Sequence, residues 1–306
     1  MRKLLILSGL FLLSFCAYSG IYRHDVPAEQ YKTLAAQPQF DCVGEVFEEY
    51  SGEPHGSCVL IGKKYVLTAA HLFWKSENAV DTEYTMEGGA KITIYKQVNG
   101  RFGSGDEYTF RFNRKRYEGK KLIIFPAYTD SQTSKSCDLA IVELDEPVED
   151  VVPAVLSNTF DELHKMATGV GFGVSGRADK PEEVDIYMEK IAGQNMIDTL
   201  KGYLWEGKPT ILAADFDHPT NKECSQLGDV HPMELEYTTG GGDSGGPLFI
   251  QTPDGWKVIG ICSGGGVFMD NFLKYGYYSQ PSEWTRVSVF YDWILKNMND
   301  VKTVAK

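Results

Sequence analysis

The nine residues Gly240-Gly241-Gly242-Asp243-Ser244-Gly245-Gly246-Pro247-Leu248 constrain this chain more than any other stretch. Five of them are glycine, so the backbone here can take turned and left-handed conformations that side chains resist. Such a loop holds one serine hydroxyl clear of the chain and aims neighbouring N–H groups into one small space. A serine hydroxyl attacks a carbonyl poorly by itself; it needs a base to take its proton and donors to receive the oxyanion. Glycine-rich serine loops also bind phosphate or merely turn. The reading therefore depends on a base and an orienting acid elsewhere in the chain.

Two further stretches supply them. Tyr65-Val66-Leu67-Thr68-Ala69-Ala70-His71 reads as a strand whose two small residues let the turn pack closely while the imidazole projects. Asp138-Leu139-Ala140-Ile141-Val142-Glu143-Leu144 puts one carboxylate at the head of an apolar run. With the serine loop, these motifs resemble the trypsin/chymotrypsin-like serine protease family. The chain order His, Asp, Ser separates that family from subtilisins and α/β-hydrolases. Weaker matches extend the resemblance over nearly the whole chain beyond residue 20: Ile123 to Tyr128, Val258 to Gly265, Trp284 to Val287 and Tyr291 to Ile294.

The resemblance implies an all-β fold of two six-stranded antiparallel β-barrels (chymotrypsin-like) with a C-terminal helix. A peptidase domain over 21–306 would place the first barrel at about 40–155, the second at about 156–290 and the helix at about 288–299. It also implies roles. Ser244 would be the nucleophile, His71 its base, Asp138 the group that orients His71, and the N–H groups of Gly242 and Ser244 the oxyanion hole. The substrate would be a protein or peptide. The alternative is a catalytically silent or latent protein that binds a partner on the same fold.

The residues also point to β structure without the resemblance. Short runs rich in β-branched and aromatic residues recur between Gly, Pro, Asp and Asn clusters, a rhythm of barrels or sandwiches. Two stretches read as helical: Pro181 to Leu200, broken at Gly193, and a C-terminal run that Ser288 would cap. The formal net charge of −12 argues against unspecific binding to nucleic acid or anionic membrane. Arg111, Arg114, Lys115, Arg116, Lys120 and Lys121 form a local basic stretch, but Phe and Tyr interleave it, so it reads as the solvated face of strands.

Residues 1–20 have the parts of a signal peptide: Arg2 and Lys3, an apolar run from Leu4 to Phe15, and Ala17-Tyr18-Ser19 before the cleavage point. They predict a secreted or periplasmic protein with no membrane span; a lipid anchor on Cys16 is the lesser reading, because bulky Phe15 precedes it. Five cysteines follow: Cys42, Cys58, Cys137, Cys224 and Cys262. Export permits disulfides, and the odd number leaves one thiol over.

Several features depart from the family pattern. Leu72 and Gly240 stand where the family often has cysteines, so any disulfides must differ; Cys42 with Cys58 and Cys137 with Cys224 are the suggested pairs. The position that carries an aspartate in trypsin falls at Thr238, and the remaining pocket positions fall at Ser263, Gly265 and Ser282, beside Glu283. No strong preference for Arg or Lys follows. The Ile-Val-Gly-Gly start that pairs with the aspartate before the serine is absent, and Ile21 is the nearest substitute for pairing with Asp243. Long insertions lie around Ser76 to Tyr117 and Ser175 to Tyr237. Within the second, Asn195 to Asp198 and Ala214 to Asp217 resemble segments of secreted bacterial trypsin-like proteins. Asp215 and Asp217 read as turn residues rather than calcium ligands, and no metal or cofactor is called for. Gly171 to Gly176 satisfies G-x-G-x-x-G without the βαβ setting that a dinucleotide site requires. Its Gly171-Phe172-Gly173 instead resembles a strand of trypsin-like proteins.

Overall fold

The computed structural model describes residues 20–48, 54–85, 91–129, 136–180, 183–185, 189–228, 230–269, 272–274 and 276–298. Residues 1–19, which hold Cys16 and most of the stretch read as an export signal, lie outside these.

Numbered in chain order, the first six barrel strands are β1 (Val43–Glu48), β2 (Gly56–Gly62), β3 (Tyr65–Thr68), β4 (Tyr108–Phe112), β5 (Lys115–Ile124) and β6 (Ala140–Leu144). They close into one antiparallel barrel in the order β1-β2-β3-β6-β5-β4. Closure removes every sheet edge, and the strands alternate inward and outward accordingly. In β4, Tyr108, Phe110 and Phe112 are buried while Thr109 and Arg111 face outward. The basic stretch lies on this outer face: Arg111 grips Glu45 with two bonds of 2.5 Å, and the Arg116 guanidinium sits 3.9 Å over the Phe47 ring.

The second half supplies β7 (Met166–Gly171), β8 (Ile191–Met196), β9 (Thr199–Trp205), β10 (Lys208–Ala214), β11 (Pro247–Thr252), β12 (Gly255–Gly265) and β13 (Ser282–Arg286). They form one antiparallel sheet in the order β8-β7-β11-β12-β13-β10-β9, with Val155–Leu156 pairing in parallel on β12. Among the described residues this sheet shows no closing ladder, so only the first barrel is closed by hydrogen bonds. Among the described residues two α-helices complete the fold: α1 (Ala28–Ala35) and α2 (Val287–Lys296). On α2, Phe290 and Ile294 are buried, and the Phe290 ring meets Phe125 at 4.7 Å.

Two insertions become additional strands. Immediately after the His71 turn, Trp74–Thr85 pairs with Lys91–Phe102 as a two-stranded ribbon. The N-terminal Ile21–Tyr22 threads between Ser175–Arg177 and Tyr237–Thr238, and Val184–Asp185 completes that four-stranded sheet.

Three expectations are corrected. The stretch from Pro181 to Leu200 is not helical among its described residues: Ile191–Met196 is β8, paired along its length with β7. Gly193 does not break a helix there; it leaves room for the Tyr237 ring, whose Cγ would lie 2.3 Å from a Cβ at that position. Tertiary pairing overrides the local helix-forming residues. Ser288 does not cap α2, whose N-cap position is Arg286 without a side-chain cap; its hydroxyl donates to Glu162 Oε1 at 2.7 Å instead. The five cysteines are free thiols. The β1–β2 register sets Gly44, not Cys42, opposite Cys58, while Cys137 is fully buried and Cys224 is partly exposed.

Candidate active site

The fold brings the three motif side chains into one hydrogen-bonded line. His71 lies in a short 3₁₀ turn, Ala70–Phe73, that follows β3; the buried Ala69 and Ala70 leave space for that turn. Asp138 precedes β6, the strand paired with β3, so the acid and the imidazole leave neighbouring strands at the same barrel end. His71 donates its backbone N–H to Asp138 Oδ1 at 2.9 Å, and its Nδ1 lies 2.6 Å from Asp138 Oδ2. Ser263 Oγ donates to the same Oδ2 at 2.8 Å, and Thr285 Oγ1 donates to the Asp138 carbonyl at 3.1 Å. With the carboxylate accepting at Nδ1, His71 Nε2 is left to accept from Ser244 Oγ, 2.8 Å away.

Asp138 is buried, while the His71 side chain is 33% exposed. Burial opposes a charge on the imidazole. The Asp138 charge and its hydrogen bond outweigh that effect and hold the His71 pKa above its ordinary value of 6.5.

The serine loop spends most of its N–H groups internally. Gly240 N–H donates to Asp243 Oδ2, Asp243 N–H to the Gly240 carbonyl, Gly245 N–H to the Cys262 carbonyl and Gly246 N–H to the Asp243 carbonyl. Among the described residues, the N–H groups of Gly242 and Ser244 donate to no protein acceptor. Gly242 has φ 92°, and a Cβ there would meet Gly173 Cα at 2.7 Å; both facts require glycine. Gly171 is as confined, because a Cβ on it would lie 2.1 Å from Asp243 Oδ1. The Gly171-Phe172-Gly173 segment at the end of β7 thus packs against the back of the serine loop.

The residues expected to line a specificity pocket separate into two groups. Thr238 Oγ1 and Ser282 Oγ lie 3.0 Å apart, and Gly265 pairs with Ser282 across the β12–β13 ladder. Ser263 sits on Asp138 rather than among them. The buried Thr239 adds its N–H and its hydroxyl to Ser282 Oγ at 3.0 and 2.9 Å, and Gln280 Nε2 donates to the Thr239 carbonyl at 2.7 Å. Thr239 and Gln280 were not singled out in the sequence; Thr239 was legible as the neighbour of Thr238, whereas no local signal marks Gln280. Glu283 points to the other side of β13 and pairs with Lys201 at 2.6 Å, so it adds no charge to the hydroxyl cluster.

The residue at Asp243 is also corrected. Ile21 is held within the N-terminal strand opposite Thr238. The nitrogen that reaches Asp243 Oδ2, at 2.7 Å and buried, belongs to Gly20. Asp215, the other carboxylate with a proposed alternative, closes a turn: its Oδ2 accepts the N–H groups of Gln226 and Leu227.

Two β halves with a serine, an imidazole and a carboxylate at their junction define a trypsin-like serine protease. A family model described as Trypsin matches residues 39–294, and the chain belongs to that family. It is similar to the human atrial natriuretic peptide-converting enzyme, 28% identical over 80% of this chain and 20% of that protein. It is similar also to the mouse complement C1s-1 subcomponent, 25% identical over 83% of this chain and 34% of that protein. The serine protease filzig of Drosophila melanogaster is 28% identical over 80% of this chain and 12% of its own length. The chain therefore spans between 12% and 34% of the length of these relatives.

Proposed function

We propose that the chain is an exported serine endopeptidase that cleaves peptide bonds through an acyl-enzyme. The observation that carries this reading is the unbroken line from Asp138 through His71 to Ser244, with bonds of 2.6 and 2.8 Å. Ser244 Oγ attacks the scissile carbonyl as His71 Nε2 takes its proton. The same proton is then given to the leaving amine. Asp138 fixes the tautomer and stabilises the imidazolium. The uncommitted N–H groups of Gly242 and Ser244 receive the oxyanion, a contribution that in comparable sites is worth about 10²–10³ in rate per donor.

Thr238, Thr239 and Ser282 satisfy one another, and among the described residues no carboxylate bonds to them, so this hydroxyl cluster is neutral. A cationic side chain there would lose its water without gaining a counter-charge. Cleavage of the signal segment between Ser19 and Gly20 turns the Gly20 nitrogen into an ammonium already placed on Asp243. This supports export processing as the step that matures the serine loop.

The test is labelling with a fluorophosphonate, which reacts only with an activated serine. Labelling of the mature protein but not of Ser244→Ala supports the peptidase. A mature, folded protein that does not label supports the silent binding protein instead.

A further inference from the structure

Ser57 lies on β2 in the first barrel, is fully buried, and belongs to none of the motifs that mark the site. All its polar groups are directed to the region of the serine loop. Its N–H donates to the Ser244 carbonyl at 2.8 Å, and its Oγ donates to the Gly242 carbonyl at 2.8 Å. The same Oγ accepts the Phe172 N–H at 2.9 Å, and its carbonyl accepts Thr68 Oγ1 at 2.8 Å. One residue thus holds the carbonyls on both sides of the nucleophile, together with the strand behind the loop and the strand that leads to His71.

We propose that Ser57 is a positioning residue that sets the oxyanion hole, an inference that rests on the peptidase reading above. Gly242 carries no side chain and has φ 92°, so its own torsions hold the peptides on either side of it only weakly. Rotation of those peptides would turn an oxyanion N–H away from the reacting carbonyl. The Ser57 hydroxyl clamps the Gly242 carbonyl and so restrains the peptide that lies between the two oxyanion N–H groups, while the Ser57 N–H clamps the Ser244 carbonyl two residues on. The Ser244 N–H therefore lies between two fixed peptides. Because Ser57 belongs to the first barrel, the clamp also registers the serine loop against His71 and Asp138. Rigid support of this kind separates a productive donor geometry from one that is an ångström loose.

The hydroxyl matters to the transition state, where the oxyanion exists, and not to the bound substrate. Ser57→Ala should lower kcat about 10- to 100-fold, below the loss of a whole oxyanion donor, with KM changed less than about twofold. A peptide boronic acid, which places an anionic oxygen in the hole, should lose affinity by the same factor, while the corresponding peptide acid product should not. Rates are to be counted per active site titrated, so that misfolded protein does not enter. Ser57→Cys is slightly larger and carries a weaker hydrogen-bonding group, and it should fall between Ser57→Ala and wild type. Unchanged kcat and boronate affinity in Ser57→Ala, or an equal loss of product affinity, would overturn the proposal while leaving the peptidase reading intact. Failure of the wild type to react with a fluorophosphonate would overturn both.

Discussion

The Gly20 nitrogen lies 2.7 Å from Asp243 Oδ2 in a buried site, one residue before the Ile21–Tyr22 strand. The site is crowded, since a Cβ on Gly20 would lie 2.1 Å from Ile191 Cδ1 and 3.3 Å from the Tyr237 ring, and Ile191 would have to shift. Asp243 Oδ2 also accepts the Gly240 N–H, so the same carboxylate ties Gly20 to the start of the serine loop.

This relationship predicts that the active form begins at Gly20. Intact-mass measurement of exported protein should find that terminus, and a variant that keeps residues before Gly20 should lose at least about tenfold in kcat/KM, because an amide cannot supply the charge that an ammonium supplies to a buried carboxylate. Asp243→Asn should lose activity to a similar extent. An enzyme that begins elsewhere and is fully active would refute the assignment.

The His71 pKa, raised by Asp138 against the effect of burial, predicts the acid limb of the pH profile. His71 acts as a base only when neutral, so kcat/KM should rise with pH, with an inflection above the ordinary histidine value of about 6.5. The stability term has the opposite sense: the Asp138–His71 charge pair stabilises the fold at low pH and is lost as pH rises through the raised pKa. Asp138→Asn removes both effects. It should shift the inflection downward and cost about 10⁴ in kcat. A profile with the inflection unmoved in Asp138→Asn would separate the limb from this pair.

The neutral hydroxyl cluster predicts cleavage specificity. In a proteome-derived peptide library, Arg and Lys should not be enriched immediately before the cleaved bond. Small uncharged residues should exceed them by at least about tenfold in kcat/KM, the discrimination expected from roughly 1.4 kcal/mol of unmatched desolvation. Enrichment of Arg at that position would show that a carboxylate reaches the pocket by a route other than Glu283, which Lys201 holds.

The parts of this molecule that were legible in the sequence are those where one local string carries a physical demand. The glycines around Ser244 are required by the left-handed turns at Gly242 and Gly245, and the Tyr65 to His71 run is a strand followed by a turn, as its pattern requires. The misread parts are those decided by distant partners. Ile191 to Met196 has mixed local preferences and becomes a strand only because β7 pairs with it. Cys42 immediately precedes β1 and Cys58 lies on the adjacent β2, but the register that separates them is set by the whole β1–β2 ladder. Ser57 and Gln280 have no local signal at all, since each acquires a role only when the chain brings another loop against it.

A stability prediction follows from a second buried pair. Arg286, at the end of β13, places Nε and Nη2 at 3.1 and 2.7 Å from the two oxygens of Glu162, and both residues are at most 3% exposed. Ser288 Oγ adds a bond of 2.7 Å to Glu162 Oε1, and the guanidinium carbon lies 5.0 Å from the centre of the Phe160 ring. The pair ties the segment before β7 to the strand that leads into α2. Arg286→Leu leaves a carboxylate buried with one hydroxyl as its remaining side-chain partner and should cost about 3–5 kcal/mol, or roughly 10 °C in Tm for a chain of this size. Glu162→Gln with Arg286→Leu, which removes both charges, should recover most of that loss. Neither side chain of the pair bonds to Asp138, His71 or Ser244, so kcat per titrated site should remain near wild type in both variants at low temperature. Thermal unfolding of the three proteins measures the coupling directly, and a double variant no more stable than Arg286→Leu alone would show that the loss comes from packing rather than from the stranded charge.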